Sequence, residues 1–467
     1  MRIKWNFLIL SLSSGLFFKN GYAQSDTTIF TYQEYIENIT KYHPIVKKAD
    51  LKLKFGEAEI VKAKGNFDPT ILSDWSEKNF DGKQYYRIYQ TKLRIPTPIG
   101  LDIVGGYEKT NGVFLNPENA TGQNGLWHLG IELDILQGFL VNERRNTLEQ
   151  SKVFQELVNN ERQILLNDII YDGSTAYFQW QLYHHFKIVL TENQELGKRY
   201  VDNTKQSYLG GEKTAMDTLE AFILYQDAIL MAQKNEMELI KSRLVVENYL
   251  WYEDAPVSLQ QRTIPEDYQK SYFINAGKWT DTIAVTNNPI LLASLYKLSM
   301  LELEQKLKRE KLKPKLKVKY NPLLKTTPSS IAPIYSFENY TWGFVFSMPL
   351  LFRNERANIQ QGEVKISEIE LDIQNKRNEL QNKIESTWRQ LPILQDQIDL
   401  SINNANNYKQ LLDGEFDKFR FGESSVFLLN KRQEKYITSQ LKLIDMKIKQ
   451  QTEKLKFLYL TNQLLNN

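Results

Sequence analysis

The 467-residue sequence contains no cysteine. The chain therefore cannot form disulfide bonds, use a thiol as a nucleophile, bind a metal through thiolates or carry a lipid on an N-terminal cysteine. Histidine is also scarce, with only four residues. A histidine-rich metal site is not expected, and we predict no metal and no cofactor.

Helix-breaking residues are scarce as well. Glycine (22) and proline (14) together make up about 8% of the chain, against roughly 12% in average proteins. This shortage predicts long uninterrupted helices. The formal net charge is only +3, which gives no reason to expect nucleic acid as a partner. Aromatic residues reach 12%, more than a simple coiled-coil rod needs.

Long apolar runs are missing except at the N-terminus. Arg2 and Lys4 precede an apolar stretch over residues 7–18, and Gly21 to Ala23 form a small-x-small site. This is the pattern of a secretory signal peptide, which we assign to residues 1–23. No other stretch reaches the 18 apolar residues of a membrane-spanning helix. We therefore expect an exported chain without a transmembrane helix.

The chain contains an internal duplication. Positions 44 and 69 match positions 289 and 314, at a shift of 245 residues. Positions 142 and 174 match positions 354 and 386, at a shift of 212 residues. Collinear matches at nearly constant shifts indicate two copies of one unit. The drop in the shift means that the first copy carries about 33 extra residues between positions 69 and 142.

Each copy is predicted to contain a helix, strands, a very long helix, a glycine-containing turn and a last helix. The first repeat covers residues 24–252, with helices at about 31–66, 142–208 and 214–252 and strands within about 68–136. A linker spans 253–285. The second repeat covers 286–467, with helices at about 286–312, 354–420 and 424–464 and strands within about 315–349. Pro392 is expected to kink or break the second long helix.

Between the helices, the hydrophobic period changes to two. Trp342, Phe344 and Phe346 alternate with small or polar residues. The same alternation occurs over residues 89–95, 99–108, 127–135 and 315–320. The apolar residues of each predicted strand share one face, and the opposite face carries charges and glycines. This is typical of membrane β-barrel strands with lipid outside and water inside. A soluble β-sandwich is the alternative.

The number of strands sets the expected oligomer. The second copy offers two strands, and the first offers two or four. So few strands cannot close a barrel, and an open sheet edge cannot sit in lipid because its backbone groups would lack hydrogen-bond partners. Several chains must then share one barrel. Three chains would supply twelve strands, or eighteen if the extra hairpin of the first copy also enters the wall.

The ordered set of elements, present in duplicate, resembles the TolC-like outer-membrane efflux family (outer-membrane factors). The residues that carry the resemblance are His43-Pro44, Asn288-Pro289, Phe67-Asp68-Pro69, residues 347–352 leaving the last strand, and the tip motifs at 208–211 and 419–422. Each motif alone is weak, and their order in both copies is the specific signal. The resemblance covers about residues 31–464.

The resemblance implies a fold that is mostly α, with a trimeric α-helical barrel in the periplasm and a shared β-barrel in the outer membrane. It implies a homotrimer in contact with outer-membrane lipid, docked to a periplasmic adaptor (membrane fusion protein) and an inner-membrane transporter. The function would be that of a passive exit duct in a tripartite efflux or type I secretion system. A periplasmic coiled-coil adaptor or scaffold and a secreted enzyme with a helical stalk are the alternatives.

The periplasmic end of such a duct should be formed by the two helix–helix turns, at Gly210, Gly211 and Gly422. Glycine suits a turn that needs a positive φ angle. Ordinary helix C-caps would have the same sequence, so only the position at the tip gives these turns a functional role.

The resemblance also guides the search for a pore entrance. Many relatives carry acidic residues six and nine positions after the second tip glycine, where this chain has Leu428 and Lys431. We predict instead that Asp217, Glu220 or Glu423 shapes the entrance, because threefold repetition turns any inward carboxylate into a ring of like charges. A solvated helix face is the alternative for each of them.

Enzymatic motifs are lacking, and we predict no catalytic residues. Residues 210–214 resemble a phosphate-binding loop only superficially, because the required glycine spacing is missing and a helix precedes them. His184 and His185 are adjacent on a predicted helix, so their side chains point about 100° apart and are poorly placed to share a metal.

Overall fold

A computed structural model describes residues 28–270, 272–273, 283–325 and 334–466. The predicted signal peptide lies outside this range, as do parts of the linker and of the last strand-to-strand loop. The elements in chain order are β1 (Thr28–Phe30), α1 (Tyr32–Tyr42), α2 (Pro44–Gly65), β2 (Thr70–Phe80), β3 (Lys83–Pro96), β4 (Leu101–Asn111), β5 (Leu126–Asp134), α3 (Glu143–Leu209), α4 (Ala215–Glu247), β6 (Trp251–Tyr252), β7 (Ala255–Pro256), β8 (Thr263–Pro265), α5 (Ile283–Thr286), α6 (Pro289–Glu310), β9 (Lys315–Lys325), β10 (Ile334–Ser347), α7 (Arg353–Arg420) and α8 (Val426–Leu460).

The duplication is visible in the geometry of the helices. Both α2 and α6 have 22 residues and carry proline at the first helical position. The residue before each proline caps the helix: His43 Nδ1 accepts a hydrogen bond from the amide of Ile45 (3.2 Å), and Asn288 Oδ1 accepts one from the amide of Ile290 (3.0 Å). Two different side chains thus satisfy the same orphan amide at equivalent positions.

The extra residues of the first repeat form two strands inside the sheet. The shift of 245 residues carries β2 onto β9, and the shift of 212 brings the end of β5 next to that of β10. The hairpin β3–β4 therefore has no counterpart in the second repeat. The six strands form one antiparallel sheet in the order β10-β9-β5-β4-β3-β2, so this hairpin lies between β2 and β5.

This sheet exposes its apolar face. Trp342 is 65% exposed and Leu129 is 57% exposed, whereas Glu132 and Asp102, on the opposite face, are only 2% and 7% exposed. The period-two pattern of the sequence is thus confirmed as one apolar and one charged face. In the described residues the six strands form a single sheet, and no second sheet covers the apolar face as a β-sandwich would require.

The long helices α3 and α7 have 67 and 68 residues, or about 100 Å each. The expectation of a break at Pro392 is wrong, because α7 continues through this residue. The next turns bury Leu394 and Ile398, each 4% exposed. Their packing offsets the hydrogen bond that the proline cannot donate. None of the helices in the described part of the chain combines the length and the apolar composition needed to span a bilayer.

An aromatic core joins the short β1–β8 pair to the long helices. Tyr32 stacks on Phe178 with ring centroids 5.4 Å apart and lies 4.8 Å from Tyr272. The hydroxyl of Tyr177 donates to the carbonyl of Phe30 (2.7 Å), which ties α3 to β1. Trp180 is 1% exposed beside Tyr177. Part of the high aromatic content therefore lies in this core, which packs near the middle of α3.

Candidate functional site: tip turns and the charged face of the sheet

The two helix–helix turns share one backbone geometry. Gly211 has a φ angle of 80° and Gly422 one of 75°, in the left-handed region that favours glycine. Each turn closes with the same hydrogen bond between residues five positions apart. The amide of Glu212 donates to the carbonyl of Ser207, and the amide of Glu423 donates to the carbonyl of Lys418, both at 2.9 Å. This is the Schellman motif, which predicts glycine at these two positions. Gly210 has an ordinary helical φ of −77° and is not required by the backbone.

Apolar side chains are exposed around both turns. Leu209 and Met216 flank the first turn and are each 75% exposed. Phe421 (79%) and Phe427 (62%) flank the second. Residues of this kind, grouped at the end of a helical hairpin, are typical of protein contact surfaces.

Asp217 is held by its own helix. Its carboxylate accepts hydrogen bonds from the backbone amide (2.9 Å) and the hydroxyl (2.8 Å) of Thr214, while the Thr214 hydroxyl caps the amide of Asp217. This is a capping box at the start of α4. The bonds from Thr214 hold the pKa of Asp217 below its usual value. The carboxylate is therefore charged, but it is directed at a helix terminus.

The other two predicted entrance residues are less constrained. Glu220 is half-buried and Glu423 is exposed, and neither side chain has a hydrogen-bond or ion-pair partner among the described residues. At the two positions to which the resemblance pointed, Leu428 is 43% exposed and Lys431 pairs with Glu434 at 2.9 Å. Glu220 and Glu423 thus remain free to face a pore.

The charged face of the sheet contains an ion network that the sequence reasoning did not single out. Glu132 on β5 lies 3.0 Å from Lys92 Nζ, 2.5 Å from Arg94 Nη2, and 3.8 Å from the Nζ atoms of Lys317 and Lys319. The period-two pattern of the sequence already placed these residues on one face, because each of them lies between apolar residues of its strand. The pattern identified the face, but it could not show that charges from three separated strands converge.

A second carboxylate joins this network to the helices. Asp102 on β4 pairs with Arg144 at 2.8 Å, in the first turn of α3, and lies 3.7 Å from Arg94. A cavity of about 920 Å³ opens beside these residues, where the base of the sheet meets α2 and α3. The ion pairs thus connect the sheet to the long helix that follows it.

The two adjacent histidines, His184 and His185, lie on α3. Their ring centroids are 5.3 Å apart, and His185 Nε2 accepts a hydrogen bond from the amide of Tyr268 (3.3 Å). Burial lowers the pKa of His184 to about 4. Among the described residues, no group of three histidine, aspartate or glutamate side chains is arranged to hold a metal ion.

Comparison with solved structures identifies the fold. A membrane protein from Pseudomonas aeruginosa superposes with a TM-score of 0.69 at 12% identity, covering 93% of both chains. CusC, solved in a study of transmembrane channel formation, gives 0.67 at 12% identity, covering 92% of this chain and 91% of its own. The Campylobacter jejuni CmeC outer membrane channel gives 0.66 at 12% identity, with 98% and 94% covered. No family model and no curated sequence matches the chain.

These superpositions define the class: the chain has the fold of TolC-like outer-membrane channels. The resemblance drawn from the sequence is confirmed at the level of the fold, over nearly the whole described chain. CmeC, OprN and MtrE are outer membrane channels.

Proposed function

We propose that this protein is a passive exit duct of the outer membrane, part of a tripartite efflux or type I secretion system. The observation that carries the proposal is the sheet, whose apolar face is exposed while two carboxylates of the other face, those of Glu132 and Asp102, are buried. Such a polarity is unfavourable in water and suits a wall between lipid and an aqueous lumen. The duct has no chemistry of its own and takes its energy from an inner-membrane transporter.

The two edges of the sheet support a trimer. Strands β2 and β10 are each paired on one side only. In lipid their free backbone groups must find partners, so β10 of one chain is expected to pair with β2 of the next. Three chains of six strands would close a barrel of eighteen strands. Barrels of this size leave an aqueous channel.

The tips of the helical hairpins are proposed to dock a periplasmic adaptor. Two equivalent glycine turns with exposed apolar side chains, including Leu209 and Phe421, support this role. The 100 Å length estimated for α3 and α7 would let these tips reach far into the periplasm while the sheet stays in the outer membrane.

The proposal is tested by expressing the full chain with its N-terminal segment in a Gram-negative host. We expect a species of about three times the chain mass in the outer-membrane fraction, present on unheated gels and lost on boiling. A soluble monomer in the periplasm would contradict the duct and would support the adaptor alternative instead.

Charge reversal at the entrance gives a second prediction. We expect Glu220→Lys and Glu423→Lys to weaken block of single-channel currents by multivalent cations added from the periplasmic side, because each removes a ring of three carboxylates. Asp217→Asn is the comparison variant. Its carboxylate caps α4, so we expect it to lower stability by about 1 kcal/mol and to leave cation block nearly unchanged. Unaltered block in both lysine variants would show that these acids lie on a solvated face.

A further inference from the structure

Four cations surround one buried carboxylate on the charged face of the sheet. We call Lys92, Arg94, Lys317 and Lys319 the cationic collar; all four lie within 4 Å of the Glu132 carboxylate. Glu132 is 2% exposed, whereas the four cationic side chains are 34% to 40% exposed. The negative charge is therefore covered, and the positive charges face the open side of the sheet.

The collar is not neutral. One carboxylate cannot balance four cations, and the nearest further acid, Asp102, is shared between Arg94 and Arg144. Asp134 and Lys315 lie at the base of the same face, and their opposite charges cancel in the count. Toward the loop end this face carries two acids, Asp74 and Glu108, and two bases, Lys78 and Lys325, so the charges there balance. The excess positive charge is therefore concentrated at the base of the sheet, near the helices.

The inserted hairpin helps to build the collar. Lys92 and Arg94 lie on β3, which the second repeat lacks, while Lys317 and Lys319 lie on β9. The collar therefore joins a strand of the inserted hairpin to a strand of the second repeat.

We propose that the cationic collar makes the channel selective for anions, so that the solutes it favours are small, negatively charged molecules. This inference rests on the proposed function, because only a closed barrel turns the charged face into a lumen. Threefold repetition then gives a ring with a large positive excess, in a confined space where charge–charge interactions are strong. Fixed cations raise the local anion concentration and repel cations.

The test is the ion selectivity of the purified full-length protein in a planar bilayer with a KCl gradient. We expect the wild-type ratio of chloride to potassium permeability to exceed unity. Reversing two collar charges, with Lys317→Glu and Lys319→Glu combined, should bring the ratio below unity, and Glu132→Gln should raise it. Lys83→Glu, exposed at the start of β3 at the far end of the sheet from the collar, is the matched control and should leave the ratio unchanged.

Different results overturn the proposed function and the cationic collar. Absence of a heat-labile trimer from the outer membrane overturns the proposed function itself. A conducting trimer whose wild-type ratio lies below unity, or whose ratio ignores the charge reversal, overturns only the collar. If the trimer passes no current, the collar is tested by dye binding instead. Fluorescence anisotropy at low salt then measures binding of the trianionic dye pyranine to the detergent-solubilised trimer. Dye binding that the double variant loses supports the collar, and no binding overturns it.

Discussion

A chain that carries one cysteine in β2 and one in β10 is expected to run as a covalent trimer on boiled, non-reducing gels. The suitable variants combine Ser73→Cys with Trp342→Cys, Phe344→Cys or Phe346→Cys in turn. All four positions lie on the exposed apolar face, and neighbouring strands are about 4.8 Å apart, close enough for a disulfide at the right register. The cysteine-free background means that every cross-link comes from the introduced pair.

The matched control places the cysteines inside one chain. Leu133 on β5 and Val318 on β9 are direct partners in the sheet, so Leu133→Cys with Val318→Cys should link internally and run as a monomer. A covalent trimer from at least one edge pair, and a monomer from the control, would support closure between chains. Only monomer from all three edge pairs would contradict the proposed closure.

Removal of residues 81–111 is expected to shrink the barrel without abolishing the trimer. This deletion takes out the inserted hairpin and leaves β2 joined to β5 through the loop 112–125. Pairing of β2 with β5 would then reproduce that of β9 with β10 in the second repeat. Since barrel diameter grows roughly linearly with strand number, a change from eighteen to twelve strands should reduce it to about two-thirds. Electron microscopy of the purified trimer measures the diameter directly.

A shorter deletion serves as the control for this experiment. Removal of residues 114–123 trims only the loop between β4 and β5, so the diameter should stay at the wild-type value. An unchanged diameter after the long deletion would show that the hairpin lies outside the wall. Loss of the trimer would show instead that closure depends on the hairpin.

The sequence predicted the long helices and most of the sheet because periodicity reports directly on burial. It did not single out β2 as an alternating strand. Ile71 and Trp75 on the exposed face of β2 are interrupted by Ser73 and Glu77, so the apolar alternation is weak. A turn signal was available: Asp81-Gly82 follows β2, and both residues have positive φ angles (52° and 65°), as a tight hairpin turn requires.

The candidate site was less accessible from the sequence. Glycine at 211 and 422 could be predicted because the turn demands a particular backbone conformation. Asp217 shows the limit of such reasoning, since an acid near a helix start serves the cap as well as a pore. The collar could not be predicted at all, because it depends on the strand order that brings β3, β5 and β9 within reach of one carboxylate.

The two half-paired edge strands also have a genetic consequence. In the proposed trimer each chain supplies one third of the wall, and both of its edges must be sound for the ring to close. A cell that makes equal amounts of normal chain and of a chain with a defective edge would assemble only about one wholly normal trimer in eight by random mixing. A lesion in β2 or β10 should therefore behave as a dominant allele, whereas a lesion that blocks export should be recessive.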